Sequence, residues 1–514
     1  MNGAESLVQT LLDGGVDVCF TNPGTSEMHF VAALDRHADM RCVLGLQENV
    51  VTGAADGYGR MAGKPAATLL HTGPGLSNGL ANLHNARKAR TPIVNIVGEH
   101  ATYHIKYDAP LTSDIEGIAR PISDWVQTAS DAKSVAAITA EAIQAARAGP
   151  GSVATLILPA DTAWEEADGA AEPLPAIRAK APSHDAVKAA ATVLGSDGPV
   201  LILMTGRALG EDGLEMAGRI ATATGAEVMA QMSNARLERG AGRFAVEKVP
   251  YPIDQAIERL SPFQHIILIG AKDPIAFFAY PNKPSRLAPK GCQTHTLSKP
   301  TEDGVKALEM LCEYLDAKKV KPQLAAHEPP PLPTGALGPE SIAAAVSALM
   351  PENAIVTDEG ITTGRRIFPL TVDALPHSWL QVTGGSIGIG LPLAVGAAVA
   401  CPERKVISLQ ADGSAMYTVQ ALWTQAREGL DVTTVIFSNR AYECLFIEME
   451  NLGIDNPGQS AHDMFEIDRP PLDWVTLARG LGVQAKVVDD AEHFNRALAC
   501  GLAEPGPYLI EARV

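Results

Sequence analysis

Aromatic residues are scarce, at 5% of the 514 positions, and the seven cysteines (Cys19, Cys42, Cys292, Cys312, Cys401, Cys444 and Cys500) are scattered without a CxxC pair. An odd, unclustered set fits free thiols and excludes a disulfide framework. Basic residues are in deficit as well, with 41 Lys and Arg against 59 Asp and Glu, a formal net charge of -18. A nucleic-acid binder needs a basic stripe, so no nucleic-acid partner is expected. No apolar run reaches the length of about 18 residues that a bilayer requires, so no membrane partner is expected either. The opening segment, MNGAESLVQTLLDGG, has neither a basic stretch nor a long apolar one. That is not the pattern of a signal peptide, and cytoplasmic residence is the expectation.

What the chain does have is a globular composition, 46% hydrophobic and rich in small residues, with enough length for about three domains. Short apolar runs alternate with helical patterns throughout. The first block offers strands at 16–20, 41–46, 66–71, 92–97 and 153–158, separated by helices such as Ser26–Arg36 and Glu48–Met61. The second offers strands at 200–204, 226–231 and 265–271. The third offers strands at 354–358, 379–383, 405–410, 432–438 and 508–514. Alternation of this kind implies βαβ units and parallel sheets. The expected fold is therefore α/β, with three doubly wound parallel-sheet domains at 1–163, 184–320 and 336–514. The polar stretch 164–182 and the proline-rich KPQLAAHEPPPLPTGALGP (321–339) link them.

Ligands of open α/β sheets sit beyond the carboxyl ends of strands. Two such ends stand out in the third block. In QADGS a strand closes on Asp412, followed by Gly413 and Ser414, and in SNRAY the next strand closes on Asn439. Adjacent parallel strands would set these two side-chain oxygens together, a donor pair suited to Mg²⁺. Gly413 permits close backbone approach, and a helix start behind it favours a diphosphate. Taken singly, an Asp before a helix is more often an N-cap and an Asn more often a loop residue.

As a pair, these residues resemble the diphosphate–metal signature of thiamine diphosphate (ThDP) enzymes, a GDG followed on the next strand by an Asn, with Ala411 here in place of the first glycine. The likeness extends over essentially the whole chain, to benzoylformate decarboxylase and to acetolactate synthase large subunits. It implies a pyrimidine-binding domain, a central domain and a diphosphate-binding domain, matching the three blocks. It further implies Asp412, Asn439 and the carbonyl of Ala441 as metal ligands. Glu48, in GLQENVV, falls where the family places the glutamate that activates the aminopyrimidine. Ile387, in GGSIGIGLP, falls where a large apolar residue props the cofactor. Thr362, Gly385, Ser386, Gly413 and Ser414 are further expected cofactor contacts. The cofactor would lie between the first block of one subunit and the third block of another, so a homodimer or homotetramer with shared sites is expected.

On the substrate side, Thr25 in NPGTSE takes the place of an active-site serine of benzoylformate decarboxylase, and His71 in LLHTGPG that of its first catalytic histidine. The second histidine has no counterpart, since the region reads IAFFAYP and offers Phe277 and Phe278. The Phe–Gln pair of acetolactate synthase is replaced by Pro110 and Leu111, and the arginine-rich signals of flavin binding are missing from the middle block, so FAD is possible but not favoured. His100, His104 and Tyr107 in one loop, and Glu443, Cys444, Leu445 and Phe446 in another, are candidates for facing the substrate, though packing or surface roles are commoner. The expected reaction is decarboxylation of a 2-oxo acid, or carboligation with an aldehyde or a second 2-oxo acid. The alternatives are acetolactate synthase-like condensation and a catalytically altered homologue. A rival class rests on Gly384–Gly388, which matches GxSxG with Ser386 as nucleophile and Asp463 and His493 as partners. It leaves the Asp412–Asn439 pair unexplained. A Rossmann dehydrogenase lacks its glycine fingerprint.

Overall fold

The computed structural model describes residues 1–514. Six strands, β1 (Val18–Asn22), β2 (Arg41–Leu44), β3 (Ala66–Leu70), β4 (Ile93–Glu99), β5 (Trp125–Thr128) and β6 (Val153–Pro159), form an all-parallel sheet in the order β2-β1-β3-β4-β6-β5. β3, β4 and β6 are buried along their whole length, as strands covered by helices on both faces must be. Polar side chains on its three central buried strands, β3, β4 and β6, satisfy one another. Thr68 donates to Oδ1 of Asn95 (2.8 Å), and Nδ2 of Asn95 donates to Thr155 (3.0 Å).

The middle stretch supplies β7 (Val200–Met204), β8 (Glu227–Ala230), β9 (Arg236–Arg239), β10 (Glu247–Lys248), β11 (His265–Ile269) and β12 (Gln293–Ser298). Five of these build a parallel sheet, β10-β8-β7-β11-β12. β9 leaves it and pairs antiparallel with β14 of the third sheet, Leu237 opposite Trp379. The remaining strands are β13 (Ile355–Glu359), β14 (His377–Gln381), β15 (Val406–Ala411), β16 (Val432–Ser438), β17 (Gln484–Val488) and β18 (Tyr508–Arg513). The order is β17-β18-β16-β15-β13-β14-β9. The third sheet is thus parallel except for one borrowed edge strand. Leu237 is buried while Arg236 and Glu238 on either side are half-buried, the alternation of a strand with one face inward.

The third block is the centre of the molecule. One hydrophobic cluster joins it to the middle block through residues such as Ile202, Leu237, Val356 and Trp379, and a second joins it to the first block through Val51, Leu83, Leu393 and Leu422. The tightest seam lies between helices Glu48–Ala62 and Gly390–Ala400. A Cβ on Gly57 would sit 2.2 Å from the Leu393 carbonyl oxygen, and one on Gly396 would sit 1.9 Å from that of Ala54. Only glycine allows backbones to meet so closely. Arg60 closes the seam: it pairs with Asp56 inside the core (2.5 Å) and donates to the Gln381 carbonyl at the end of β14 (2.7 Å). Further hydrogen bonds of this kind are what make a buried ion pair tolerable.

Candidate active site

β15 and β16 run parallel with Ala411 opposite Phe437, so Asp412 and Asn439 leave the same edge of the sheet on neighbouring strands. Asp412 is buried, with Oδ1 accepting the Gly413 N–H (2.8 Å) and Oδ2 the Arg440 N–H (2.7 Å). Burial pushes its carboxyl up to about 6 against the pull of these donors. Oδ1 of Asn439 accepts from Ala441 (3.1 Å) across a turn in which Arg440 takes a left-handed φ of 58°. Gly413 has no room for a side chain, because its Cβ would lie 2.5 Å from the Tyr442 ring. Ser414 turns back to the Ala411 carbonyl (3.1 Å). A desolvated carboxylate beside an amide oxygen is a donor set for a hard cation.

The glycine-rich turn is held from two sides. Glu359, at the end of β13, accepts the N–H groups of Gly388 (2.8 Å), Ile389 (3.2 Å) and Gly390 (2.8 Å). Its complete burial pushes the carboxyl up to about 7 despite those donors. From the first block, Oδ1 of Asn85 accepts from Gly384 (3.0 Å) and Ser386 (3.3 Å), while its Nδ2 donates to the Ser386 carbonyl (2.7 Å). Gly385 and Gly388 have φ of 77° and 91°, which only glycine adopts freely. Ile387 is half-buried and belongs to no hydrophobic cluster, whereas Ile389 beside it is fully buried. The side chain that was expected to prop a ligand is therefore not consumed by the core. Thr362 follows Ile361, whose φ of 43° is again left-handed. Strained backbone of this sort persists where the surroundings impose it, often at ligand sites.

In the first block, Glu48 begins its helix under the cap of Gln47 and is buried. Its carboxylate accepts from Nδ2 of Asn22 (3.1 Å) and Nδ2 of Asn78 (3.0 Å). His71 follows β3 directly, and the next residue, Thr72, has a φ of 50°. Nδ1 of His71 lies 2.9 Å from Oε2 of the buried Glu27 and 3.2 Å from Oγ of Ser26. Two glycines make the space: a Cβ on Gly24 would fall 2.1 Å from the His71 ring, and one on Gly98 would fall 1.8 Å from Glu27. Gly75 lies between His71 and Glu48, its Cβ position 3.3 Å from the first and 3.5 Å from the second.

The structure groups the expected residues into two sets. Glu48 and His71 adjoin in the first block; Asp412, Asn439, Ser414 and the Gly385–Ile387 turn belong to the third. No hydrogen bond within this chain links Glu48 to the third block. Thr25 is exposed, and its neighbours Ser26 and Glu27, not Thr25, reach His71. Phe277 approaches the glycine-rich turn so closely that a Cβ on Gly385 would be 2.5 Å from its ring, and Phe278 stacks edge-on against it (4.8 Å between centroids). His100, His104 and Tyr107 stack in series in a solvent-facing loop. The hydrolase constellation is not assembled. His493 pairs with its helix neighbour Asp490, Asp463 pairs with Arg469, and Ser386 hydroxyl bonds neither.

Sequence reasoning missed Glu27, Asn22, Asn78, Asn85 and Glu359. Glu359 and Glu27 had a signal, the first an acid closing an apolar strand and the second an acid in the strand-to-helix loop after β1, and both prove to be buried. The three asparagines had none, since their partners are distant in the chain.

Residues 1–135 match the model of the thiamine pyrophosphate enzyme N-terminal TPP binding domain, and residues 368–512 match that of the C-terminal TPP binding domain. The chain belongs to the thiamine pyrophosphate-dependent enzymes. It is 52% identical, over 100% of its length and 99% of the relative's, to IlvX of Mycobacterium tuberculosis, a protein named as a candidate acetolactate synthase large subunit. It is 28% identical to benzoylformate decarboxylase of Pseudomonas aeruginosa over 97% of this chain and 96% of that one. Among solved structures, the thiamine diphosphate-dependent 4-hydroxybenzoylformate decarboxylase of Rhodococcus jostii superposes with a TM-score of 0.86 and 25% identity, covering 100% of this chain and 99% of the other. No helix is long and apolar enough to cross a membrane.

Proposed function

We propose that this enzyme uses ThDP and Mg²⁺ to cleave the C–C bond beside the carbonyl of a 2-oxo acid, releasing CO₂ and an aldehyde. The observation that carries this reading is the contiguous Glu48–Gly75–His71–Glu27 arrangement, which sets a proton-handling imidazole next to the acid assigned to cofactor activation. When bound, ThDP supplies a nucleophilic carbon and an electron sink for the carbanion left by decarboxylation. Glu48, steadied by Asn22 and Asn78, holds the pyrimidine end. Asp412, Asn439 and the Ala441 carbonyl hold the metal, with Gly413 and Ser414 at the diphosphate and Thr362, Gly385, Ser386 and Ile387 lining the cofactor. His71 donates Nδ1–H to Glu27, leaving Nε2 to carry a proton to or from substrate. Phe277 narrows the approach to an apolar or aromatic body. Because Glu48 and Asp412 lie in different blocks without a shared contact, we assign each site to two subunits of a homodimer or homotetramer.

A second reading, condensation of two 2-oxo acids, is favoured by the high identity to IlvX. Pro110 and Leu111 weigh against it. Incubating the ThDP- and Mg²⁺-loaded protein with aryl and alkyl 2-oxo acids, with and without aldehyde acceptors, separates the two. Aldehyde from benzoylformate supports the first, acetohydroxy acid from pyruvate the second, and release of CO₂ from none of them refutes both.

A further inference from the structure

Where β9 and β10 meet the third sheet, three cations gather without acceptors. The ring of Phe368 carries two of them, Cζ of Arg239 at 3.8 Å and Nζ of Lys248 at 3.9 Å from its centroid. Arg239 also lies over Trp379 (5.1 Å) and is buried, and its Nη1 is fully enclosed with no hydrogen-bond partner. The third, Arg365, stacks on Tyr251 at 4.0 Å. None of the three side chains enters an ion pair. Of the acids around them, Asp358 accepts from Nε1 of Trp379 (3.1 Å) and the Gly360 N–H (3.2 Å), Glu448 accepts from the hydroxyls of Tyr280 and Tyr251, and Asp373 acts on Arg239 only through space without bonding any of the three. A lysine offers three donors and an arginine five, so this corner is rich in donors that nothing in the chain receives.

Like charges crowded on one aromatic ring repel, and each cation–π contact offsets only part of that cost. Burial pushes the Lys248 ammonium down to about 8 and Arg239 down to about 9, with Asp358 opposing the shift in both. The corner also adjoins the Gly385 turn through a pair of aromatic rings. Tyr251, under Arg365, stacks against Phe277 (5.5 Å between centroids), and Phe277 is the ring that reaches the Gly385 turn. From the cofactor turn outward, the wall therefore runs aromatic first and cationic second.

We propose that Lys248 and Arg365, backed by Arg239, form an anion-binding subsite for a carboxylate at the far end of an aromatic or extended apolar substrate. The assignment to substrate rests on the 2-oxo acid reading above; the anion site itself does not. An arginine fork and a lysine point charge together suit a planar carboxylate. The second, distal charge would make a dianionic 2-oxo acid a better substrate than its neutral-tailed analogue.

The test compares calorimetric binding of terephthalate and benzoate to the ThDP- and Mg²⁺-loaded protein, since the two share a ring and differ by one distal carboxylate. Terephthalate should bind about tenfold or more tightly, the difference that one charge-assisted contact supplies. Lys248→Met and Arg365→Met should each remove most of that advantage while leaving benzoate binding and ThDP affinity unchanged; Arg365 is exposed, so its replacement leaves the core intact. Equal affinities, or an advantage that survives both substitutions, would mean that these cations are merely hydrated and would overturn the proposal. Turnover of benzoylformate against 4-carboxybenzoylformate is read in parallel. If neither reacts while terephthalate still binds through Lys248, the anion site stands and the C–C cleavage reading falls.

Discussion

Nδ1 of His71 lies 2.9 Å from Oε2 of Glu27, a carboxylate buried under Gly98 and bonded also by Ser26. A buried acid at that distance fixes the ring's tautomer and orientation and offsets positive charge on it during proton transfer. Glu27→Gln keeps the shape but removes the charge. It should lower kcat for 2-oxo acid cleavage by about 10²-fold, within the range for general acid–base groups, and leave ThDP affinity within about twofold. His71→Ala should cost as much, and the double variant little more, because the two act as one unit. Additive losses would mean that Glu27 acts independently of the histidine.

Glu48 accepts from two asparagine amides of its own block and from nothing in the third. Glu48→Gln should therefore retain ThDP binding while losing exchange of the cofactor's C2 proton, measured by NMR in deuterated buffer. Unchanged exchange would remove the assigned role. The two-subunit site has its own test. Mixing Glu48→Gln protein with Asp412→Ala protein should restore about a quarter of the activity if exchange is complete, since half the dimers are hybrids and each hybrid has one intact site. No recovery after demonstrated subunit exchange would place both residues in one chain's site.

The contact between Gly396 and the Ala54 carbonyl joins the third block to the first, and a Cβ there would lie 1.9 Å from that oxygen. Gly396→Ala must push the Glu48 helix away from the Gly390–Ala400 helix. We expect a loss of about 1–3 kcal/mol, typical of overpacking, seen as a lowered denaturation midpoint. Since one helix begins at Glu48 and the other follows the Gly385–Ile387 turn, ThDP affinity should fall with it. A variant as stable as the parent would show that the seam is softer than its geometry.

The strands legible in the sequence were those with unbroken apolar runs, such as VLILM in β7 and VTTVIFS in β16. Five strands escaped: β5, β9, β10, β12 and β17. Each lies at a sheet edge, where only one neighbour and one covered face are required, and sequences such as RLER and QTHTLS meet that need with few apolar side chains. The site divided on different grounds. Asp412, Asn439 and His71 follow strands whose burial is written locally, and Glu48 follows the short apolar run of β2 and opens a helix, so their positions could be read. Asn85, which holds the 384–386 turn from about 300 residues away, could not, because its pairing exists only after the blocks pack. Glu27 was passed over for Thr25, the residue that matched a family position. Geometry favours the acid, which has a cavity opened for it by Gly98.

Glu359 ties its three backbone donors while carrying a carboxyl pushed up to about 7 by burial. In the unfolded chain the same group titrates at its ordinary value of 4.5. Between those values the folded protein keeps a proton that the unfolded chain releases. Its contribution is thus full at or below the lower value and is lost as pH rises through the upper one, on the order of 3 kcal/mol in all. Asp412, raised to about 6, acts in the same direction in metal-free protein. Apoprotein should therefore be less stable at about pH 8 than at about pH 5.5, by roughly 2 kcal/mol from Glu359 alone. Glu359→Gln cannot titrate, so it should be less stable than the parent at the lower pH, where an amide N–H₂ meets backbone donors, and should show a flatter pH profile. Asp412→Asn should remove the Asp412 share of the slope, and Mg²⁺ with ThDP should remove that share in the parent by holding Asp412 ionised, while buried His377, pushed down to about 3, tilts the profile the other way below its ordinary 6.5 in every variant. Urea midpoints measured across this range decide it: a Glu359→Gln profile parallel to that of the parent would show that the carboxyl is ionised throughout and that its three N–H donors outweigh burial.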